Sequence, residues 1–236
     1  MKKLKSLTVF FLALNDEKSL PELIEKTYKI APKVALDFEV LIINDGSQDN
    51  TAQVIKNLMR RYKNLRLISH KRNLGYGAAV TTGFKNAQGE WVFYTDGDGQ
   101  YDPRELTKLF AKLDKNTDVV NGFKLERKDP WTRRFLGEFY NGVLQKMYRP
   151  PITDIDCDFR LIRRSFLKKI TLTSTSGAVC LELVVKLKKA GASFAEVGVY
   201  HYPRLHGRSQ FFKLNHLAKT FIENFMFFVD WARKDL

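Results

Sequence analysis

Cysteine is nearly absent from this sequence, which has only Cys157 and Cys180 in 236 residues. Their spacing matches neither a zinc site nor a disulfide framework, and it indicates a reducing compartment. The sequence also lacks any apolar run near the roughly 18 residues that a membrane-spanning helix needs, so we do not expect an integral membrane protein. No internal repeat or low-complexity segment is present. With 44% hydrophobic and 28% charged residues, the composition is that of a globular protein.

Acidic residues are scarce relative to basic ones. The 40 lysines and arginines exceed the 26 aspartates and glutamates, which gives a formal net charge of +14. This balance favours an anionic partner: a nucleic acid, an acidic membrane surface or a small molecule that carries phosphate. The basic residues are spread along the chain and no nucleic-acid-binding motif is present, so a basic nucleic-acid-binding protein is only a remote alternative.

Predicted strands and helices alternate over the first half of the chain. The amino-terminal stretch MKKLKSLTVFFLAL resembles a signal peptide, but no small-residue cleavage site follows, so we predict a first strand over Leu7–Leu14. Apolar runs predict further strands over Phe38–Ile43, Leu65–Ser69 and Trp91–Thr95. Ser19 is a candidate N-cap for the first of the intervening helices. This alternation predicts an α/β fold with a mostly parallel, doubly wound sheet.

The stretch WVFYTDGDGQ, Trp91–Gln100, combines a buried strand with two closely spaced carboxylates. Asp96 and Asp98 follow the strand and are separated by Gly97, which lets the backbone turn closely around a ligand. Two hard oxygen ligands in this position can bind one divalent cation. Asp-Gly is also a common turn dipeptide, so the spacing alone leaves a simple turn as an equal alternative.

Four polar loops follow the predicted strands, at Asn15–Glu17, Asn44–Ser47, Arg72–Gly77 and Asp96–Gln100. Loops after parallel strands meet at one edge of the sheet, so we expect these four to form one crevice. The acidic loops can hold a metal and a base or ribose, and the basic, glycine-containing loop can approach a phosphate. The segment GYGAAV is a weak dinucleotide signal because it follows the third strand rather than the first, and hydride transfer is not expected.

These loops, in their order and spacing, resemble those of the large inverting glycosyltransferase family 2, which has the GT-A fold, and especially its polyprenyl-phosphate sugar synthases of the dolichol-phosphate mannosyltransferase type. The resemblance is carried by ALNDE, INDGSQDNT, NLGYGAAVTTGF, TDGDGQYDP, DIDCDFRLIRR and RLHGRSQ. It implies a metal-dependent enzyme that moves a mannose- or glucose-type sugar from a GDP- or UDP-linked donor to a polyprenyl or dolichyl phosphate. It also implies a cytoplasmic or peripheral protein, at the cytoplasmic face of a membrane.

The resemblance further implies roles for individual residues. The ligands of Mg²⁺ or Mn²⁺ on the donor diphosphate would be Asp96, Asp98 and Gln100, with Gly97 in the same donor-binding loop. The nucleotide base would contact Asp45, and its pocket would be formed by Asn15, Asp16 and Ile43. The acceptor phosphate would be bound by Lys124, Arg133 and Arg134. The late loop that closes over the diphosphate would contribute Arg204 and Gln210. Catalysis would depend on Asp96, Asp98, Arg133 and Arg134.

The sequence departs from the family pattern at a few positions. Leu12 and Leu14 stand where Pro and Tyr are frequent, Asn44 replaces the first residue of a usual Asp pair, and Asp158 stands where Gly is common. The departures at Leu12, Leu14 and Asn44 affect the predicted identity of the donor base, and the departure at Asp158 affects the local shape of the predicted acceptor side. The implied metal ligands are unaffected.

An alternative acceptor is a glycan or another hydroxyl, from which a carboxylate must take the proton. Glu182, Asp154 and Asp156 are the candidate bases. The sequence favours a helix-surface charge over a base at Glu182, and the two aspartates can equally form an N-cap or salt bridges to the nearby arginines. A lipid phosphate needs no base because its oxygen is already an anion, and cations such as those of the stretch 124–134 would gather the two phosphates.

The stretch Phe211–Lys234 has a helical stripe of apolar residues that includes Phe221, Phe225 and Phe228. It predicts an amphipathic helix that either packs on the domain or lies on a lipid surface. We therefore divide the chain into a glycosyltransferase domain at 1–210 and a C-terminal amphipathic helix at 211–236. Within the domain, 1–122 is the predicted nucleotide-sugar-binding half and 123–210 the predicted acceptor-binding half.

Overall fold

A computed structural model describes residues 2–125, 142–206 and 214–234 of the chain. The strands are β1 Leu4–Ala13, β2 Ala35–Asn44, β3 Leu65–Ser69, β4 Trp91–Asp96, β5 Val119–Lys124, β6 Phe159–Arg163 and β7 Phe194–Val199. The helices are α1 Leu20–Val34, α2 Thr51–Met59, α3 Tyr76–Asn86, α4 Leu106–Ala111, α5 at residues 142–148, α6 Arg164–Leu167, α7 Val179–Lys189 and α8 Leu214–Lys234. A 3₁₀ turn, Pro103–Glu105, precedes α4.

The strands form one sheet of order β3-β2-β1-β4-β6-β5-β7. Strand β4 lies at its centre, parallel to β1 on one side and antiparallel to β6 on the other. The pairs β1–β2, β2–β3 and β5–β7 are also parallel. This mostly parallel sheet with flanking helices confirms the predicted fold class.

Strand β1 supplies both hydrophobic cores of the domain. Because side chains alternate across a strand, Leu7, Val9 and Phe11 pack on the face covered by α1 and α4. Phe10 and Leu12 pack on the opposite face, with α3 and α7. All are buried, so the prediction that the amino-terminal apolar run forms a strand is confirmed.

Strand β6 is absent from the sequence-based prediction, because arginines at positions 160 and 163 obscure its apolar residues. The buried Arg160 side chain donates to Asn121 Oδ1 at 2.5 Å and to the Tyr94 hydroxyl at 2.8 Å. It also donates to the carbonyl of Ile155. These bonds compensate the buried charge and fix the segment before β6 against the central strand.

Ser19 does not cap α1, contrary to the prediction. It has helical backbone angles (φ −87°, ψ −39°) and makes no side-chain capping bond. Its hydroxyl donates instead to the carbonyl of Gly97 at 2.6 Å. The start of α1 is therefore tied to the loop that follows β4.

Helix α8 packs on the domain through one face and leaves an apolar face exposed. On the packed face, Phe227 and Trp231 lie against the Tyr148 ring, with centroid distances of 5.8 and 5.3 Å. The outer face carries four large apolar side chains that are 56–69% exposed, namely Phe221, Ile222, Phe225 and Met226. None of the described helices is both long and apolar enough to span a bilayer.

Candidate active site

The backbone that follows β2, β3 and β4 is hydrogen-bonded to the carboxyl end of a neighbouring strand, as the sheet topology predicts. The amide of Gly97 donates to Leu12 O at 2.7 Å, and that of Asp45 donates to Ala13 O at 2.9 Å. The amide of His70 donates to Asn44 O at 2.9 Å. The polar residues that the sequence predicts for one crevice therefore meet at the carboxyl edge of the parallel strands.

Asn15 connects the first of these loops to the second. Its φ of 60° is a left-handed conformation that asparagine tolerates better than most residues. Its amide donates to Ser47 Oγ at 2.9 Å, and its side-chain oxygen accepts from the Gln48 amide at 2.8 Å. Asn15 thus fixes the backbone of the neighbouring loop, beside which the sequence predicts the nucleotide pocket.

Asp45 organises the third loop. Its buried carboxylate accepts from the amides of Leu74 and Gly75 at 2.9 and 3.0 Å. One carboxylate oxygen also lies 2.6 Å from His70 Nδ1. The predicted base-contacting residue therefore holds the glycine-containing loop at the same edge. Ile43, the residue two positions before it, is fully buried in the core and can support the pocket only from behind.

Asp98 is paired with the late loop that the resemblance implies. The Arg204 guanidinium donates to its carboxylate, and Asp98 is only 5% exposed. The Gln100 amide donates to Asp98 Oδ1 at 2.9 Å, and the Gln100 side chain donates to Tyr202 O at 3.2 Å. The loops at 96–100 and 200–204 thus meet directly at Asp98.

Asp96 lies beside Asp158, one of the positions at which the sequence departs from the family pattern. The antiparallel register pairs Thr95 with Phe159, which places the preceding residue, Asp158, next to Asp96. Burial, followed by the charges of Asp158 and Asp98, raises the Asp96 pKa well above its ordinary value. Asp158 accepts from the Tyr94 hydroxyl at 3.3 Å.

Asp16 adds to this concentration of negative charge. Its pKa is raised to about 6, chiefly by burial; a bond from the Leu14 amide opposes the shift, and the charge of Asp98 adds to it. We call Asp16, Asp96, Asp98 and Asp158 the acidic cluster. Hard carboxylate oxygens that repel one another form a suitable environment for Mg²⁺ or Mn²⁺.

The metal that the resemblance implies fits Asp96 and Asp98, but not as a site completed by protein. Within the described ranges, no three histidine, cysteine or acidic side chains are arranged to hold a metal ion. Two carboxylates would leave positions for diphosphate oxygens and water, as is usual for Mg²⁺. The side-chain N–H of Gln100 donates to Tyr202 O, and its side-chain oxygen is the atom that could serve as a ligand.

A cavity of about 330 Å³ adjoins Asp98 on the side of α1. It lies between the start of α1 and the two loops that meet at Asp98. Its lining includes Lys18, Lys26, Asp98, Arg104, Tyr202 and His206. A ligand bound at Asp98 therefore has space to extend toward α1.

In the half of the domain predicted to bind the acceptor, Lys124 is held by the segment that precedes β6. Its Nζ donates to Asp156 O at 2.9 Å and lies 3.6 Å from an Asp154 carboxylate oxygen. Burial raises the Asp156 pKa to about 6, and Lys124 opposes this shift. The other predicted residues of this side and of the late loop, Arg133, Arg134 and Gln210, lie outside the described residues.

Glu182 is neither a surface charge nor an accessible base. It is fully buried and accepts from the Thr173 amide at 2.9 Å and the Ser174 amide at 2.8 Å. Burial raises its pKa, but bonds from Lys186, Ser174 and Thr173 outweigh that effect and lower it overall. Its oxygens are therefore used to hold the loop before α7.

Comparison with known proteins identifies the class. Residues 8–171 match the domain described as Glycosyl transferase family 2. The undecaprenyl-phosphate 4-deoxy-4-formamido-L-arabinose transferase of Edwardsiella ictaluri (strain 93-146) is 27% identical over 215 residues. That match covers 89% of this chain and 64% of the relative, so the chain spans under two thirds of the relative's length.

Solved structures share the fold at low sequence identity. One is glucosyl-3-phosphoglycerate synthase from Mycobacterium tuberculosis with Mn²⁺, UDP and glucosyl-3-phosphoglycerate, at a TM-score of 0.71 and 17% identity, covering 94% of this chain and 77% of that chain. The same enzyme with Mg²⁺ and UDP matches at a TM-score of 0.69 and 16% identity, covering 95% and 79%. The fold is thus of the GT-A type. The chain belongs to glycosyl transferase family 2.

Proposed function

We propose that this protein is a glycosyltransferase that moves a mannose- or glucose-type sugar from a UDP- or GDP-linked donor to a polyprenyl phosphate, with inversion at the anomeric carbon. The observation that carries the proposal is the pairing of Asp98 with Arg204 at the carboxyl edge of the sheet, close to Asp96 at the end of β4. The relative that acts on undecaprenyl phosphate supports the choice of acceptor. The nucleotide half would be 1–122 and the acceptor half 123–210.

The chemistry follows from the charge of the leaving group. As the bond between the anomeric carbon and the diphosphate breaks, negative charge builds on the diphosphate, and a bound Mg²⁺ or Mn²⁺ supplies neutralisation. Asp96 and Asp98 would hold that ion, and Arg204 would contact the diphosphate directly. Asp45 would fix the loop beside the nucleotide, with Asn15 and Asp16 shaping the pocket around it.

The acceptor phosphate oxygen would attack the anomeric carbon from the side opposite the diphosphate. It is an anion at neutral pH and needs no base, only cations that offset the repulsion between two phosphates. Lys124 is the described residue proposed for this task, with Arg133 and Arg134. Glu182 is excluded as a base by its burial and its bonds.

The proposal predicts transfer of label to lipid. When the protein is incubated with labelled UDP-glucose or GDP-mannose, Mn²⁺ and polyprenyl phosphate, we expect label in the organic extract. Polyprenol without phosphate is the matched control and should accept no label, because its hydroxyl would need a base. Label transferred equally well to polyprenol would contradict the phosphate acceptor.

A hydroxyl acceptor is the second candidate, and the raised pKa of Asp156 is the observation that favours it. A carboxyl whose pKa is raised to about 6 is suited to accept a proton near neutral pH. If Asp156 is the base, Asp156→Asn abolishes transfer, and the wild-type rate falls as pH drops below about 6 because Asp156 becomes protonated. Our primary proposal predicts instead that Asp156→Asn keeps most of its activity.

We further propose that the exposed apolar face of α8 contacts the membrane, at the cytoplasmic face, where a lipid acceptor would be found. The four exposed side chains form a continuous apolar face on the helix, and the net charge of +14 favours an anionic surface. An amphipathic helix of this kind binds in the interfacial region without spanning the bilayer.

The double variant Phe221→Asp, Phe225→Asp is expected to bind anionic vesicles about tenfold or more weakly, since each phenylalanine contributes buried apolar area and each aspartate is repelled. Flotation or sedimentation with phosphatidylglycerol vesicles measures this. Leu36→Asp, which changes a 71% exposed apolar residue of β2, is the control and should bind as the wild type does. Equal binding by all three proteins would exclude α8 as the membrane contact.

A further inference from the structure

The packed face of α8 binds the loop at 175–176 through the carboxylate of Glu223. Glu223 accepts from the amides of Thr175 and Ser176 at 3.0 and 2.9 Å. It also accepts from the hydroxyls of the same two residues, at 2.9 and 2.7 Å. These four hydrogen bonds to one half-buried carboxylate fix the backbone at 175–176 against α8.

That loop in turn supports the glycine-containing segment at the start of α3. The Gly77 amide donates to Thr175 O at 3.0 Å. A Cβ on Gly75 would lie 2.3 Å from Thr175 O, and one on Gly77 would lie 2.3 Å from Ser174 O. The two backbones are therefore in direct contact, with no room for a side chain between them.

The other side of the same segment is held by Asp45, which accepts from the Leu74 and Gly75 amides. Gly46, with φ +74°, allows β2 to approach this loop closely, since a Cβ there would lie 2.4–2.8 Å from the Arg72 and Asn73 backbone. The segment 72–77 thus lies between two supports that each depend on a carboxylate. Asp45, directly after β2, holds it on one side, and Glu223 of α8 holds the loop at 175–176 on the other.

We propose that Glu223 is a positioning residue for the nucleotide-sugar site. Through Thr175 and Ser176 it holds the 74–77 backbone in the conformation that Asp45 fixes from the other side. This inference rests on the proposed function in taking that edge as the donor site. It also makes α8, the element with the exposed apolar face, a structural part of donor binding.

Glu182 makes a clean test possible because it holds the preceding residues, Thr173 and Ser174, independently. Glu223→Gln should therefore leave α7 and its loop attached and change only the support at 175–176. Glutamine has one oxygen acceptor, so it cannot reproduce all four bonds. Asp230→Asn changes the same charge at an exposed position of the same helix and is the matched control.

Amide hydrogen exchange of the ligand-free proteins gives the first measurement. We expect exchange at residues 74–77 and 175–176 to be about tenfold faster in Glu223→Gln than in the wild type, because bonds to a charged acceptor are lost. Asp230→Asn should exchange as the wild type does. Unchanged exchange at 74–77 in both Glu223→Gln and Glu223→Ala would overturn the proposal.

Donor kinetics give the second measurement. In Glu223→Gln we expect the KM for the nucleotide sugar to rise about five- to tenfold, with kcat at saturating donor unchanged. The reason is that fewer molecules of the variant would hold the 74–77 loop in the binding-competent conformation before the donor binds, whereas bound donor would order the loop. A fall in kcat with unchanged KM would overturn the positioning role. If the wild type binds no nucleotide sugar, the proposed function fails, and the exchange data still decide whether α8 supports the loop.

Discussion

The Asp98→Asn variant is expected to lose sugar transfer by about 10²- to 10³-fold, the usual effect of removing one group that stabilises developing charge. Asp98 is buried, belongs to the proposed metal site and accepts a hydrogen bond from the Arg204 guanidinium. Asparagine retains an oxygen that can accept from the Gln100 amide. It removes the negative charge, so both cation binding and the pairing with Arg204 are weakened.

The variant should remain folded. The charge of Asp98 contributes to the raised pKa values of Asp16 and Asp96, so its removal relieves repulsion within the acidic cluster. Steady-state transfer assays and thermal unfolding of the same samples measure the two effects. Asp37→Asn, at an exposed position of β2, should leave both unchanged. Full transfer activity in Asp98→Asn would refute the metal assignment.

The Arg160→Met variant is expected to lower the free energy of unfolding by about 3–5 kcal/mol, the usual cost of breaking a buried charged network. Arg160 is 1% exposed and bonds Asn121, Tyr94 and the Ile155 carbonyl. Methionine fills similar space but leaves all three groups without this donor. It also removes the guanidinium that lies 4.0 Å from the Asp158 carboxylate.

Urea unfolding followed by circular dichroism measures this loss of stability. Arg61→Met replaces an exposed arginine that lies over the Tyr62 ring, and we expect a change within about 1 kcal/mol. A loss below about 1 kcal/mol in Arg160→Met would show that the buried network does not stabilise the fold, contrary to our interpretation.

The part of the fold that the sequence predicts well is the part built from local signals. Apolar runs gave β1 to β4, and the polar loops after them meet as expected, because parallel strands place their carboxyl ends at one edge. The family followed from motifs in these loops. The residue roles at the site remain predictions, and Arg133, Arg134 and Gln210 lie outside the described residues.

The features that sequence reasoning missed depend on partners distant in the chain. Strand β6 was obscured because Arg160 finds its acceptors 39 and 66 residues away, at Asn121 and Tyr94. Glu182 has the sequence context of a surface charge, but the fold buries it under the loop at 173–174. Glu223 meets its partners 47 and 48 residues away. No local periodicity identifies such contacts.

Asp158 was noticed only as a departure from the family pattern, and its position beside Asp96 required the register of β6. Its carboxylate raises the Asp96 pKa more than that of Asp98 does. The acidic cluster therefore contains a residue whose effect on the proposed metal site the motif alone does not specify.

Calorimetric titration of the wild type with UDP-glucose and GDP-mannose, in Mn²⁺ and in EDTA, tests most directly whether a divalent cation joins the acidic cluster to a sugar donor. We expect one of the two donors to bind in Mn²⁺ and to bind at least about tenfold more weakly in EDTA, a difference of about 1.4 kcal/mol. Equal affinity in both buffers, or no binding of either nucleotide sugar in Mn²⁺, would contradict the account.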